Sequence, residues 1–317
     1  MARRFPVSGR ESSIRGPMVK PSVGSTGGLG EAPSDTIRSR DNKWLKMFRA
    51  ALRGTGPAAG ESIGVEGPKL VEEAVRSGLE AEALLVSEAG EAELERILVA
   101  ASKSDAGIPR ARILRTTDKL FESVAGTEAP QGVAALFRTR EWSFDDLLRG
   151  SAGRDGSFRG DVTLVVVMAG VQDPGNVGTI VRSAEAFAAT GIVATRGTAD
   201  PWSPKALRAS AGSALRLPVM RGVALPVLLA QLRATGLQVM AAISRARGDD
   251  KLKFPDLRGK VALFIGSEGT GLPAEVVRTA DATLAIPMSA EVESLNAGVA
   301  ASVLLYEIAN QRKRGQG

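Results

Sequence analysis

Residues 173–187 read DPGNVGTIVRSAEAF, and this stretch decides the fold of the second half of the chain. It follows VTLVVVM at residues 162–168, a continuous apolar run that is typical of a β-strand covered on both faces. Asp-Pro-Gly-Asn favours a turn, so we expect the strand to end there and a helix to begin, with Asn176 as its N-cap. Five apolar side chains at helical spacing form the expected buried face of this helix: Val177, Ile180, Val181, Ala184 and Phe187.

Arg182 lies on the opposite, open face of the predicted helix. Gly178 precedes it by one turn on the same face, and helical side chains lean toward the N-terminus, so the guanidinium would extend over a residue without a side chain. This arrangement would let a large ligand approach. The alternative is structural: Asn176 only caps, Gly178 only turns and Arg182 is a solvated charge.

The rest of the second half alternates strands with helices. Further apolar runs are GIVAT, LQVMAAI, VALFIG and ATLAIPM, separated by helical segments near 177–189, 204–215, 224–235, 272–279 and 295–310. This alternation predicts a mostly parallel sheet with helices on both faces. Ligands of such sheets bind outside the carboxyl ends of the strands.

A glycine-rich loop, FIGSEGTGLP at residues 264–273, directly follows one of these runs. Gly266, Gly269 and Gly271 permit positive φ and close backbone approach, and Glu268 adds a polar side chain beside exposed N–H donors. The loop matches neither the dinucleotide fingerprint nor the P-loop. It is therefore either a ligand cradle or an ordinary tight turn.

A third loop, AIPMSAEVESLNAGVAASVLLYE at residues 285–307, ends a strand at Ile286 and leads into a helix that Ser294 or Asn296 can cap. The first turns of this helix carry small residues, which lets it pack closely on another backbone or on a flat ligand. Tight core packing alone would explain the same pattern.

The first 160 residues divide into three predicted segments. Residues 1–40 are rich in Ser, Gly and Arg and are expected to form a disordered basic tail, although a transit peptide or a true start at Met18 would read similarly. Residues 41–138 read as a small α/β domain that opens with a basic amphipathic helix. Residues 139–160 read as a linker with one helical turn, and residues 161–317 form the second domain.

Composition excludes several kinds of chemistry. The 317 residues include neither cysteine nor histidine, so disulfides, cysteine nucleophiles, imidazole bases and thiolate or imidazole metal sites are excluded, and we predict no metal. Residues 1–60 hold eleven Lys and Arg but four Asp and Glu, which favours a polyanionic partner such as RNA. No apolar run approaches the roughly 20 residues of a membrane helix, so we expect a soluble, cytoplasmic protein without a membrane partner.

The three loops, in this order, resemble the three signature motifs of the SpoU/TrmH family of knotted RNA methyltransferases. The matching stretches are NVGTIVRSAEAF, FIGSEGTGL and IPMSAEVESLNAGVAAS, within residues 162–311. Residues 40–137, with VEGPKLVEEAV and EAPQGVAALF, more loosely resemble the ribosomal-protein-like substrate-binding domain that precedes this domain in many members.

The resemblance implies an α/β fold with a C-terminal trefoil knot that holds S-adenosylmethionine, a homodimer, and methylation of a ribose 2′-hydroxyl in structured RNA. By motif position, the catalytic roles fall to Asn176, Arg182, Glu268, Ser294 and Asn296. The cofactor contacts fall to Gly266, Gly269, Ile286, Leu295 and Asn296. Because a guanidinium stays protonated in proteins, we interpret Arg182 as an electrostatic clamp, with proton loss to phosphate, water or Glu268.

Three alternatives remain open from sequence. The RNA substrate is expected to be ribosomal rather than transfer RNA, by analogy with the leading domain. A sister-family activity on a base nitrogen is the main rival, and Arg182 with Ser294 and Asn296 favours ribose. A catalytically silent RNA-binding protein is the third reading. The sequence also leaves open whether Arg182 serves its own subunit or the partner's.

Overall fold

The computed structural model describes residues 34–54, 62–102, 111–150, 162–244, 254–289, 292 and 294–315. Most of the predicted disordered tail, residues 1–33, lies outside the described residues, as do residues 151–160 of the predicted linker. We call residues 34–138 the leading half and residues 162–315 the second half. No helix among the described residues is long and apolar enough to cross a membrane.

The leading half is a five-stranded sheet with helices on both faces. Its strands are β1 (Ser34–Thr36), β2 (Ser62–Glu66), β3 (Ala81–Ser87), β4 (Arg112–Thr116) and β5 (Val133–Arg138). Its helices are α1 (Lys43–Arg53), α2 (Pro68–Arg76), α3 (Glu91–Ser102) and α4 (Asp118–Glu122), with a 3₁₀ turn at Glu88–Gly90. The strand order is β1-β4-β3-β5-β2, with β5 antiparallel to both of its neighbours.

Alternation along β3 builds the two layers of this half. Leu84 and Val86 face the core shared with α2 and α3, whereas Ala83 and Leu85 face the core under α1. The predicted amphipathic helix is confirmed as α1, which buries Leu45, Phe48 and Leu52.

The prediction of disorder as far as residue 40 is corrected for residues 34–40. Ser34–Thr36 pairs in parallel with β4 at the sheet edge, and the next residue, Ile37, is buried and donates its backbone N–H to the Arg115 carbonyl at 2.7 Å. Main-chain pairing to an edge needs few large apolar side chains, so composition did not reveal this strand.

The second half is a six-stranded, all-parallel sheet of order β11-β9-β10-β6-β7-β8. Its strands are β6 (Leu164–Ala169), β7 (Gly191–Thr195), β8 (Val219–Val223), β9 (Gln238–Ile243), β10 (Val261–Gly266) and β11 (Ala282–Ala285). The connecting segment before β6 supplies α5 (Phe144–Arg149), which packs on this sheet. The helices of the second half are α6 (Pro174–Ala186), α7 (Pro204–Ala209), α8 (Ser213–Arg216), α9 (Leu225–Thr235), α10 (Ala274–Thr279) and α11 (Ala297–Arg314).

The prediction of a parallel sheet covered on both faces is confirmed. Along β6, Leu164, Val166 and Met168 enter the core with α6 and α11, whereas Val165 and Val167 enter the core with α5 and α9. A strand buried on both faces must be apolar at every position, which explains the run that follows Thr163.

Two details of the second half differ from the sequence-based expectation. The edge strand β8 was missed because its residues, VMRGV, are half exposed and interrupted by Arg221 and Gly222. The single helix predicted near 204–215 is broken into α7 and α8, where Ala211 and Gly212 adopt positive φ.

The order of the strands also sets the position of the site. The first strand, β6, lies between β7 on one side and β10 on the other, so the chain changes direction across the sheet at β6. The loops after β6 and β10 therefore meet at the carboxyl edge of adjacent strands, where open parallel sheets bind ligands.

Candidate active site

Three polar side chains from the three predicted loops meet at this edge; we call them the polar cluster. Nδ2 of Asn176 donates to Oε1 of Glu268 at 2.6 Å, and Nδ2 of Asn296 donates to the same oxygen at 2.8 Å and to Oδ1 of Asn176 at 2.8 Å. The Ala297 backbone N–H also points to Oε1 of Glu268, at 3.3 Å. One carboxylate oxygen thus ties together segments that are far apart in sequence.

The expectation that Asn176 caps α6 is wrong. Asp173 is the N-cap, and its Oδ2 accepts from the Asn176 backbone N–H at 3.1 Å, with Pro174 in the first turn. Asn176 lies inside the helix and is 8% exposed. Because Asp173 satisfies the helix end, the Asn176 amide is available to the polar cluster.

Asn296 confirms the other capping prediction. Its Oδ1 accepts from the backbone N–H groups of Gly298 and Val299, at 3.0 and 3.2 Å, while its Nδ2 serves the polar cluster. The small residues that follow bring α11 close to α6, where the hydroxyls of Ser302 and Ser183 are 2.7 Å apart. Close packing on another helix thus explains the slim start of α11.

The glycine-rich loop after β10 closes on itself. Ser267 and Gly271 exchange backbone hydrogen bonds of 3.2 and 3.0 Å, and Gly271 has φ +67°. A Cβ at Gly266 would lie 2.5 Å from the backbone N of Leu272, so only glycine permits this closure. The tight-turn interpretation is therefore confirmed, and the same turn also lines two cavities.

A cavity of about 450 Å³ lies on one side of this loop; we call it the glycine-loop cavity. Its lining includes five residues singled out from sequence: Gly266, Gly269, Ile286, Ser294 and Leu295. Glu268 also lines it, and Asn296 lies beside it through its bond to Glu268. Apolar walls with a few polar groups and exposed main chain suit an adenine nucleoside, and the volume is that of a small-molecule site.

A second cavity, of about 900 Å³, lies on the other face of the loop; we call it the strand-end cavity. It is lined by the loop after β6, including Asp173 and Asn176, by Arg196 after β7, and by Glu268. Glu268 borders both cavities, so the polar cluster lies between them. Among the described residues, no group of three or more carboxylates is placed to hold a metal ion.

Arg182 does not join the polar cluster. Its side chain is exposed and lines a cleft of about 1040 Å³ between the two halves, together with Lys69, Arg76 and Arg208. The open space expected above Gly178 is also corrected. A Cβ there would lie 2.5 Å from the Ala206 carbonyl oxygen, so Gly178 serves the packing of α6 on α7.

Arg216, which the sequence did not single out, links the halves across this cleft. It donates to both Glu185 oxygens at 2.7 Å and to Oε2 of Glu73 at 2.6 Å. The hydrogen bonds that Arg216 donates to Glu185 are the main reason that the pKa of Arg216 is raised. No local signal marks this residue, because its partners lie on α6 and on α2 of the leading half.

Comparison with known sequences assigns both halves. Residues 163–306 match the SpoU rRNA Methylase family, and residues 60–135 match the MRM3-like substrate binding domain. The uncharacterized tRNA/rRNA methyltransferase of Mycolicibacterium smegmatis is 34% identical over 322 residues, which cover 96% of this chain and 98% of the relative.

Solved structures with the same fold include enzymes that bind the expected cofactor. The AdoMet-bound rRNA methyltransferase of Sinorhizobium meliloti has a TM-score of 0.68 and 27% identity, covering 87% of this chain and 98% of its own. The SpoU methyltransferase AviRb of Streptomyces viridochromogenes, in complex with AdoMet, has a TM-score of 0.68 and 28% identity, covering 86% and 98%.

The fold, together with these matches, therefore defines an RNA methyltransferase that uses S-adenosylmethionine. The chain belongs to the SpoU methylase family. The cofactor expected from the three loops is confirmed at the level of this family.

Proposed function

We propose that this enzyme methylates a ribose 2′-hydroxyl in structured RNA, with ribosomal RNA favoured over transfer RNA. The observation that carries the proposal is the polar cluster between two cavities of different character. The glycine-loop cavity suits a nucleoside cofactor, and the strand-end cavity is large and open enough for a nucleotide of a polymer. Glu268 borders both and lies where the two ligands would meet.

The glycine-loop cavity binds the cofactor in this proposal. Ile286 and Leu295 supply apolar contacts to the adenine, and the main chain at Gly266 and Gly269 supplies hydrogen-bonding groups. S-adenosylmethionine contributes an electrophilic methyl group on a sulfonium sulfur. The protein's own task is to aim the ribose oxygen at that carbon and to stabilise the charge that develops there.

The polar cluster and Ser294 orient the ribose. Asn176 and Asn296 hold one oxygen of Glu268, which leaves the other carboxylate oxygen to accept from a ribose hydroxyl. As the O–CH₃ bond forms and the S–CH₃ bond breaks, the hydroxyl proton leaves to Glu268, to water or to an RNA phosphate. With no histidine in the chain, an imidazole base takes no part.

Arg182 clamps the phosphate beside the target ribose, and we propose that it does so across a homodimer. Within one chain Arg182 lines the cleft between the halves rather than the cavities at the polar cluster. Val299, Val303 and Tyr306 form an apolar stripe on α11 that is 39% to 58% exposed, and Tyr306 lies edge-on to Phe187, the C-cap of α6. A dimer through α6 and α11 would cover this stripe.

The path of the chain supports the proposed trefoil knot. After the edge strand β11, the chain returns across β10 to pack α11 on α6, and Asn296 contacts the loop after β10 on the way. The preference for ribose draws on the similarity to an RNA 2′-O ribose methyltransferase, with a TM-score of 0.68 and 26% identity over 89% of this chain. The preference for ribosomal RNA draws on the rRNA methyltransferase of Sinorhizobium meliloti.

The test is methylation of total ribosomal and transfer RNA purified from cells that lack the enzyme. The full-length protein is first titrated with S-adenosylmethionine by calorimetry, and each RNA pool is then digested and mapped by mass spectrometry. One new 2′-O-methylnucleotide in ribosomal RNA is the expected result. A methylated base would favour the base-modifying alternative, and cofactor binding without any methylated RNA would contradict the proposed reaction.

A further inference from the structure

We propose that a separate cavity beside the edge strand β8 and the turn after β7 binds one unpaired base of the RNA, stacked on Arg221 and Trp142. This inference rests on the proposed function in one respect, that the substrate is RNA. The cavity has a volume of about 550 Å³, within the range of small-molecule sites and large enough for a nucleotide. We call it the tryptophan cavity.

Two of the three tryptophans in the chain line this cavity, each with an arginine over its ring. The guanidinium carbon of Arg221 lies 4.2 Å from the centroid of the Trp202 ring, and that of Arg140 lies 5.8 Å from the centroid of Trp142. Unpaired bases are bound in proteins by stacking on aromatic rings and on guanidinium planes. The cavity concentrates both types of surface.

The Arg221–Trp202 pair is fixed in place before any ligand binds. Trp202 is 8% exposed, and its indole N–H donates to the Ala214 carbonyl at 3.0 Å. Nη1 of Arg221 donates to Oδ2 of Asp200 at 2.6 Å. Because one face of the guanidinium covers Trp202, a base would stack on its other face with little ordering cost.

Trp142 and Arg140 form the opposite wall and come from the segment that reads as a linker in sequence. Trp142 is half-buried against the core, and Arg140 is exposed and donates to the Gly78 carbonyl of the leading half at 2.7 Å. Arg140 therefore lies where an RNA phosphate can reach it while the base enters the cavity. The segment gives the enzyme a contact with RNA in addition to joining two halves.

The tryptophan cavity is a neighbour of the strand-end cavity. The turn after β7 separates it from the strand-end cavity: Thr195, Arg196 and Gly197 line the strand-end cavity, and Thr198 and Asp200 line the tryptophan cavity. The backbone N–H of Arg196 bonds to the Val223 carbonyl at 3.1 Å, which holds this turn against β8. One RNA strand that crosses this turn could therefore occupy both cavities.

The experiment measures binding of a fluorescein-labelled single-stranded RNA of about eight nucleotides, oligoadenylate or oligouridylate, by anisotropy with the full-length enzyme. The variants are Trp142→Ala, Trp142→Phe and Arg140→Ala. Arg233→Ala, an exposed arginine on α9 outside the cavity, is the matched charge control. Calorimetric titration with S-adenosylmethionine and a thermal midpoint check that each variant folds.

Trp142→Ala is expected to weaken octamer binding about tenfold, with cofactor affinity unchanged, and Trp142→Phe is expected to restore most of the binding, because a phenyl ring still stacks. Arg140→Ala should weaken binding more than Arg233→Ala. Equal affinities in the wild type and Trp142→Ala, or no octamer binding at all, would overturn the cavity assignment. Octamer binding that depends on Trp142, without methylation of any RNA, would retain the cavity and reject the proposed reaction.

Discussion

Arg216 and Glu73 join the two halves of the chain: Nη1 of Arg216 lies 2.6 Å from Oε2 of Glu73, and both side chains are less than one third exposed. The same guanidinium holds both oxygens of Glu185 on α6. This one side chain therefore fixes the leading half against the helix that carries Asn176 and Arg182.

Replacing Arg216 with methionine should lower the free energy of unfolding by about 2 kcal/mol. The variant loses the charged hydrogen bonds, and the carboxylates of Glu73 and Glu185 stay negatively charged but lose their contact with the guanidinium. Urea unfolding measures this loss. Arg258→Met is the matched control, since Arg258 pairs with Asp256 at an exposed surface site, and it should change stability little. An Arg216→Met enzyme as stable as the control would show that the link contributes nothing to holding the halves together.

Glu268→Gln should reduce methyl transfer about a hundredfold, the usual effect of losing one transition-state contact. The glutamine keeps the shape but lacks the charge that Asn176, Asn296 and the Ala297 N–H all face. Initial rates at saturating RNA and cofactor provide the measurement. The control is Glu275→Gln, which changes an exposed carboxylate on α10 and should retain the wild-type rate. Equal rates in the two variants would show that Glu268 takes no part in methyl transfer.

Arg182→Ala should keep the fold and the cofactor affinity but lose most turnover. Mixed dimers of Arg182→Ala with Glu268→Gln subunits then test the arrangement across the dimer. If Arg182 serves the partner's site, one site in each mixed dimer has both residues intact, and about half of the wild-type activity should return. Mixed dimers as inactive as either parent would instead place Arg182 with the Glu268 of its own chain.

Gly266→Ala and Gly269→Ala separate closure of the loop from contact with the cofactor. A Cβ at Gly266 meets the backbone of Leu272, so this variant should lower both the thermal midpoint and the affinity for S-adenosylmethionine. Nothing lies within 4 Å of a Cβ at Gly269, so that variant should fold normally and lose only cofactor affinity. Calorimetry measures the affinity for S-adenosylmethionine, and thermal unfolding measures the thermal midpoint. A Gly269→Ala enzyme with full affinity would show that Gly269 does not contact the cofactor.

The sequence was sufficient to predict that three loops meet at one sheet edge. Apolar runs predicted the strands that are covered on both faces. Asn176, Glu268 and Asn296, one from each of the three motifs, are indeed joined by hydrogen bonds. It was not sufficient for contacts that depend on packing of distant segments. Arg216 and Glu73 are 143 residues apart, and no local pattern relates them.

The predicted roles of Gly178 and Asn176 in α6 changed for a physical reason. A glycine on a helix face has two explanations, an approaching ligand or a neighbouring helix, and the periodicity of one helix cannot distinguish them. The cap was assigned to Asn176 although Asp173 also suits that position, because both residues are good N-caps and Pro174 favours the helix start that the structure has. Where two neighbouring residues have a similar preference for the N-cap position, only the tertiary structure shows at which of them the helix begins.

Asp173 should give the second half a stability that depends on pH. Its Oδ1 lies 2.7 Å from Nζ of Lys205, and this hydrogen bond is the main reason that its pKa is lowered from 3.8 in the folded protein. A carboxyl whose pKa falls on folding stabilises the folded state above its unfolded pKa, and the contribution is lost as the pH falls through the folded pKa.

The comparison of Asp173→Asn with Asp173→Ala separates this charge from the helix cap. Near neutral pH, Asp173→Ala should lower the free energy of unfolding by about 1 kcal/mol through loss of the cap to the Asn176 N–H, whereas Asp173→Asn keeps an acceptor and should lose less. In urea unfolding, the gap between wild type and Asp173→Asn should begin to close as the pH falls below 3.8 and should be gone below the lowered pKa of the folded carboxyl, where the wild-type side chain is also neutral. A gap of the same size in acid and at neutral pH would mean that the Lys205 contact adds no stability and that Asp173 acts only as a cap.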